Sequence, residues 1–261
     1  MTLIKHELRR NASALAIWTG AIGFLIAVCV FLFPEMKGQM EGVSQIFSSM
    51  GSFTAAFGMD RLNFGTLTGF YAVECGNILG LGGAFCAALW GISALAKEEK
   101  ERTAEFLLTH PVSRAYVVGG KLAALGLEIL ILNLATLGLS LLSMVATGET
   151  IPWKEILLLH GAYFLLQMEI GLICFGLSAF LRGGSLGLGL GLATMLYFLN
   201  LIANISESCE FLKYITPFGY AEGADIVTSG ALDWPLVLLG LGYGLVLLAA
   251  GSLYYSRKDI T

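Results

Sequence analysis

The sequence predicts an all-α polytopic membrane protein: six transmembrane helices, an N-terminal interfacial helix, a helical cytoplasmic loop, and both termini in the cytoplasm. Three observations predict it. The chain is 56% hydrophobic and only 13% charged, against about 25% charged in globular chains, and its mean hydropathy is +0.78. The charges are clustered, and between the clusters lie apolar runs long enough to cross a ~30 Å hydrocarbon core. Lysine and arginine are distributed unequally between alternate connecting segments. The same balance excludes a secreted disulfide scaffold, a nucleic-acid-binding domain and a disordered chain. A net charge of −4 leaves no basic surface for phosphate backbones. Abundant glycine, 33 residues against 5 prolines, suits close-packed membrane helices.

The first span runs over 14–33 and is closed by Pro34. Lys5, Arg9 and Arg10 precede it as in a leader peptide. The apolar stretch exceeds the roughly 7–15 residues of a leader's core, however, and no small-x-small cleavage site follows, so it reads as an uncleaved helix. Thr2 to Arg10 is amphipathic and reads as an interfacial helix feeding this span. The second span covers 69–96 and ends at the charged run from Lys97. The third covers 117–146, the fourth 156–181, the fifth 186–203 and the sixth 236–255, all within a single domain of residues 1–261. Arg182 to Ser185 alone separates spans four and five; more than 40 residues is too long for one crossing, so a tight turn is expected there.

Orientation follows from the cations. With the amino terminus inside, the inner segments hold Lys5, Arg9, Arg10, Lys97, Lys100, Arg102, Arg114, Lys121, Arg182, Arg257 and Lys258, eleven of the fifteen. The outer segments hold Lys37, Arg61, Lys154 and Lys213. The positive-inside rule then places both termini in the cytoplasm. Trp153 and Trp234 fall at outer boundaries, where amphipathic rings prefer to lie. From Met36 to Met59 apolar residues recur at helical intervals, which predicts a segment lying on the outer surface or dipping into it. Ile205 to Asp233 is a second outer segment, broken at Pro217.

No catalytic device emerges. The only Gly-Lys pair, Gly120-Lys121, has Ala115 where a phosphate-cradling loop needs its first glycine, and Leu122 where it needs Ser or Thr. His6-Glu7 leads to Arg10 rather than to a second zinc-binding histidine, and GxSxG is absent. Cys29, Cys75, Cys86, Cys174 and Cys209 include no CxxC pair; Cys75 and Cys209 share the outer side, so a pairing between them stays open. Glu98, Glu99, Arg102, Phe106 and His110 resemble part of the motif of membrane proteases that cleave prenylated tails. Here two residues instead of three separate Glu99 from Arg102, and the intramembrane His and Asn of that chemistry are lacking.

The most informative segment is the inner loop, KEEKERTAEFLLTHPVSRAYVVGGK, over 97–121. Lys97 to Leu108 reads as a helix, with Glu98 and Arg102 an i,i+4 pair in the favourable orientation. Thr109-His110-Pro111 ends it, because the residue before proline avoids helical angles. Ser113 is placed to cap the third span. Phe106, Leu107 and Leu108 then form a large apolar cluster within a charged loop, the mark of a contact surface.

At these residues a resemblance enters. Thr103-Ala104-Glu105-Phe106-Leu107-Leu108, then His110-Pro111-Val112-Ser113-Arg114, then Gly119-Gly120-Lys121-Leu122 resemble the inner loop of permeases in type-2 ABC exporters. Those show Glu…Gly-Thr-x-Glu-x-Leu-Leu, then Pro-Val-Ser-Arg, then Gly-Lys; Ala104 stands where many relatives have another small or polar residue. Tyr214-Ile215-Thr216-Pro217-Phe218 resembles the family's Pro-Phe segment before the last span, and Tyr255 to Ile260 its basic-Asp-aliphatic tail. The resemblance implies a non-enzymatic permease of the bacterial cytoplasmic membrane that forms the translocation path. It implies two cytoplasmic ATPase subunits that carry the ATP and magnesium, with no cofactor on this chain, and a second permease of the same or a homologous kind. The inner loop becomes the coupling helix, with Glu98, Glu99, Arg102, Glu105, Phe106, Leu107, Leu108, Pro111 and Arg114 as the ATPase-facing residues. An intramembrane protease-like enzyme and a non-transporting adaptor or sensor are the alternative functions.

Polar groups inside the spans complete the reading. Glu128 and Glu169 lie about 16 and 18 Å deep at ~1.5 Å per residue. Carboxyls near the midplane are expensive unless paired or wet. Either they line the path, or they are protonated and bond a neighbouring helix through Asn133, Gln167 or a backbone carbonyl. The short loop between spans three and four makes those helices antiparallel neighbours, with the two carboxyls at similar levels. Glu74 reads as reaching water, and His160 as an interface residue. Gly183, Gly187 and Gly191 form a small-xxx-small stripe, repeated by Gly240 and Gly244. Such stripes let helices approach closely, within one subunit or between two permeases.

Overall fold

In a hydrocarbon layer no water satisfies the peptide groups, so a chain of apolar runs must satisfy them within each run, as helices. The computed structural model describes residues 2–38, 50–97, 113–181 and 185–258. Among these, every regular element is helical. In chain order they are α1 (Thr2–Lys37), α2 (Ser52–Ala56), α3 (Leu67–Cys75), a π segment (Gly76–Leu81) and α4 (Gly82–Ser93). Then follow α5 (Arg114–Thr147), α6 (Trp153–Ser178), α7 (Leu186–Ile205), 3-10 turns at Glu207–Tyr214 and Pro217–Gly219, α8 (Gly223–Ser229) and α9 (Trp234–Arg257). Six helical units are long and apolar enough to cross a membrane: α1, α3–α4, α5, α6, α7 and α9. The protein is a multi-pass membrane protein.

The two central spans are α3–α4 and α6, with 61% and 67% of their apolar windows buried, against 22% for α1 and for α9. The outer helices turn Phe24, Phe31, Leu142, Leu188, Phe198, Leu238 and Val246 outwards. That apolar exposure suits a lipid environment.

The first span departs from its expected form. Thr2 to Arg10 is no separate interfacial helix; it forms the first turns of α1, and Pro34 sits inside that helix, which runs on to Lys37. The physical reason is α5, which lies parallel to α1. Near its start Glu7 pairs with Lys121, at its far end Lys37 pairs with Glu149, and Leu3 packs against Gly120. Buried partners hold the amphipathic turns on α5 rather than on a membrane surface. At Pro34 the missing N–H removes one bond near a helix end, where little is lost.

Local chemistry sets the ends. Ser113 Oγ accepts from Tyr116 N at 3.2 Å and opens α5 as expected, and Gly148 closes it in the left-handed conformation at φ 73°. Asp233 Oδ1 accepts from Leu236 N, with Pro235 in the first turn of α9. The unexpected element is the π segment. Its wider turn disturbs the carbonyl ladder, and α6 supplies donors there: Gln167 Nε2 bonds Leu79 O at 3.3 Å and Tyr163 Oη approaches Ala72 O at 3.5 Å.

Spans three and four are antiparallel, but their principal neighbours lie elsewhere. α5 packs chiefly on α1, while α6 packs on α4 and α9. The crossing of α6 with α9 is backbone-close: a Cβ at Gly176 would collide with Leu247 O, and one at Gly251 with Gly176 O.

Candidate functional site

Polar side chains gather at three levels of the bundle. At the end that holds both termini, Lys121 Nζ donates to Glu7 Oε1 at 2.9 Å. One turn on, Asn11 Nδ2 donates to Glu128 Oε1, also at 2.9 Å. These groups and Lys97 line a cavity of about 20 Å³. Lys97 is the last described residue before the inner loop. Glu98, Glu99, Arg102, Glu105, Phe106, Leu107, Leu108 and Pro111 lie outside the described residues. Arg114 is described, and its guanidinium donates to the carbonyls of Tyr255 at 2.8 Å, Ser256 at 3.3 Å and Lys258 at 2.6 Å. It therefore joins the base of the loop to the C-terminal end of α9, where a cation meets the helix dipole favourably.

Near the middle, Asn133 Nδ2 donates to Gln167 Oε1 at 2.7 Å and ties α5 to α6. This register puts residue 172 opposite Glu128, so Glu128 and Glu169 differ in height by about 4.5 Å at 1.5 Å per residue. They face different helices. Glu169 Oε2 accepts from Tyr220 Oη at 3.0 Å, and a Cβ on Gly240 would collide with its carboxyl. Asn133 and Gln167 thus bond each other rather than either carboxyl. His160, read as an interface residue, is buried among the helices. Its Nε2 lies 2.8 Å from Tyr71 Oη, which donates to Ser140 Oγ at 2.8 Å. Glu74 is half-buried, 3.7 Å from the Cys29 thiol, instead of simply reaching water.

At the opposite end, Asn200 and Asn204 of α7 donate to Glu222 Oε2 at 3.0 and 2.8 Å. Burial raises the Glu222 carboxyl above the ordinary range, and the two amides oppose that shift. Beside Glu222 a chamber of about 40 Å³ reaches Asn77 of the π segment. An open cavity of about 670 Å³ lies nearby, lined by Phe211, Tyr214, Tyr220, Asp225, Asp233 and Leu236 among others. Burial, and then the Glu169 carboxyl, push the Tyr220 phenol well above its usual range. Cys75 and Cys209 are both free thiols. Among the described residues no cluster of His, Cys, Asp and Glu is arranged to hold a metal ion.

Among the described residues the polar sites are scattered over several spans and assemble no nucleophile, base and oxyanion donor in one place. The sequence model of the ABC-2 family transporter proteins matches residues 1–260. The chain belongs to that family. No individual curated protein gives a significant match.

For an ABC-2 transporter chain, a bundle with polar groups inside and apolar faces outside is a permease architecture. Its glycine stripes divide. Gly240 and Gly244 serve contacts within the chain, the first against Glu169 and the second against Leu172. Gly187 and Gly191 are exposed, with nothing within 4 Å of a Cβ built on either, and Gly183 lies outside the described residues. α7 instead approaches α4 through Gly189, beside Ala88 O and Ile92. Sequence reasoning missed Glu7, Asn11, Tyr220 and Glu222 as partners. Each sits in a segment that hydropathy classes as polar, and only packing reveals it as buried or bonded across helices.

Proposed function

We propose that this chain is the permease subunit of a type-2 ABC exporter in the bacterial cytoplasmic membrane, with both termini inside. It docks two cytoplasmic ATPase subunits that hold ATP and magnesium, pairs with a second permease, and moves its substrate outwards. The family match over residues 1–260 carries the reading. The Lys/Arg asymmetry supports the orientation. The inner loop supplies the docking surface through Glu98, Glu99, Arg102, Glu105, Phe106, Leu107, Leu108 and Pro111. Phe106 to Leu108 are the anchors, since large apolar groups dominate interface energetics.

The termini-end cluster then has a mechanical role. Lys97 ends the second span and touches the cavity shared with Glu7, Lys121 and Glu128. A displacement of the loop therefore bears directly on α1 and α5. Arg114 extends the connection to α9. Along the path, Glu128 and Glu169 are the polar steps, and Tyr220 links Glu169 to the open cavity at the opposite end.

The test is co-expression and reconstitution with candidate ABC ATPase subunits that carry a Walker motif. Phe106→Ala with Leu107→Ala should weaken the interface by ~2 kcal/mol or more and abolish substrate-stimulated ATP hydrolysis, while membrane insertion stays normal. ATPase recovery at wild-type yield by the double variant would remove the docking assignment.

A further inference from the structure

The chamber beside Glu222 has a chemistry the transport reading does not use. Tyr163, Tyr197 and Phe218 form its aromatic walls, and Tyr197 and Phe218 meet at 5.3 Å with an interplanar angle of 73°. Its polar atoms are weighted towards acceptors. Tyr197 Oη spends its proton on Asn77 Oδ1 at 2.9 Å. Asn200 turns its amide protons to Glu222 Oε2, so its orientation is fixed and Oδ1 is left as an acceptor. That oxygen is buried without a hydrogen-bond partner, in a side chain only 4% exposed. Asn204 Oδ1 is orphaned in the same way. Among the described residues the Glu222 carboxyl receives amide donors but no ammonium or guanidinium bond; Arg61 lies near enough for its charge to be felt but bonds Asp225.

Unsatisfied acceptors, a carboxyl without a bonded counter-cation and aromatic walls all ask for one species. It must carry positive charge, donate several hydrogen bonds and tolerate ring faces. We propose that this chamber binds a primary ammonium group, with Glu222 as counter-charge, Asn200 Oδ1 as acceptor, and Tyr163, Tyr197 and Phe218 as a cation–π wall. The volume of about 40 Å³ exceeds the roughly 10–15 Å³ that one water needs. It has room for an ammonium with a short carbon stem, whereas a quaternary ammonium has no N–H to donate to Asn200 Oδ1. The group belongs either to a free or exported amine or to the headgroup of an ethanolamine lipid. The inference concerns binding to this chain alone and does not depend on export or on an ATPase.

The test uses the full chain in nanodiscs of phosphatidylglycerol, with thermal unfolding as the readout. Methylammonium chloride should raise the midpoint saturably, by about 2 °C or more. Sodium chloride and tetramethylammonium chloride at equal ionic strength should not. Glu222→Gln should abolish the response. Gly76→Ala provides a second route: it puts a Cβ 3.0 Å from Tyr163 Oη, fills part of the chamber without touching Glu222, and should weaken the response severalfold. Adding phosphatidylethanolamine separates the sources. A raised baseline with loss of the methylammonium effect identifies the lipid headgroup, and an unchanged response identifies a soluble amine. Equal midpoints in methylammonium and sodium, or a full response in either folded variant, would overturn the proposal and leave the chamber to water.

Discussion

Glu7 and Lys121, 114 residues apart in the chain, form an ion pair at 2.9 Å buried between α1 and α5. Their side chains are 11% and 2% exposed, so neither charge is well solvated. The pair locks the amino-terminal turns onto the third span beside Lys97. Breaking a buried pair from one side leaves a charge with less compensation, typically at about 3 kcal/mol. Glu7→Leu should therefore lower the unfolding midpoint in nanodiscs clearly. Glu7→Leu with Lys121→Met should lower it less, because both charges of the pair are removed together. A double variant at least as destabilised as the single one would show that the pair is not what holds these helices.

The glycines of the two stripes should respond in opposite ways. Gly240→Ala forces a Cβ into the Glu169 carboxyl, and Gly251→Ala forces one into the backbone of α6. Both should reduce the folded yield strongly. Gly187→Ala and Gly191→Ala meet nothing within 4 Å and should leave single-chain stability unchanged. If α7 is the face that meets a second permease, Gly187→Leu with Gly191→Leu should reduce crosslinked dimer at unchanged expression. Normal dimer yield in that variant would move the contact to another helix.

Glu169 and Glu128 separate path from packing. Glu169→Gln keeps a hydrogen-bonding group for Tyr220 and should be tolerated, whereas Glu169→Leu removes it. If the residue lines the path, Leu should impair transport at matched membrane levels and leave ATPase binding intact. If it only bonds Tyr220, Glu169→Leu and Tyr220→Phe should both be mild, since interhelical hydrogen bonds average about 0.6 kcal/mol. The same comparison applies to Glu128→Leu and Asn11→Leu. Wild-type transport by both leucine variants of the glutamates would take these residues out of the mechanism.

Glu222 should confer a pH dependence of defined sign. Its folded carboxyl titrates above the ordinary value of 4.5, chiefly because it is buried. The fold favours the neutral form more than the unfolded chain does, so this contribution to stability is complete below 4.5 and is lost as pH rises through the raised value. The donors of Asn200 and Asn204 and the charge of Arg61 oppose the shift, and Asp225 reinforces it. Wild-type midpoints should fall from pH 4.5 towards neutrality more steeply than those of Glu222→Gln. Parallel profiles for the two proteins would show that Glu222 does not titrate in this window.

The sequence by itself determined the class and the number of spans. Those follow from runs of apolar residues and from the requirement that each run satisfy its own backbone, which is local information. Ser113 as the cap of the third span was legible for the same reason. What only the tertiary structure decided is which side chain meets which. Glu128 and Glu169 are close in height, yet one turns to Asn11 on α1 and the other to Tyr220 beyond α7, because helix neighbours are set by packing and not by chain order. The polar stretch Thr2 to Arg10 looked interfacial by its amphipathicity and became part of α1 once Lys121 supplied a buried partner. Gly240 and Gly187 have the same spacing in sequence, but only the first lies against another helix, at the Glu169 carboxyl. Asn200, in a span read as apolar, and Glu222, in a segment read as polar, become one site because α7 and the chain after Pro217 fold against each other. Periodicity and hydropathy describe each helix alone, and the partners of a buried polar group are properties of at least two.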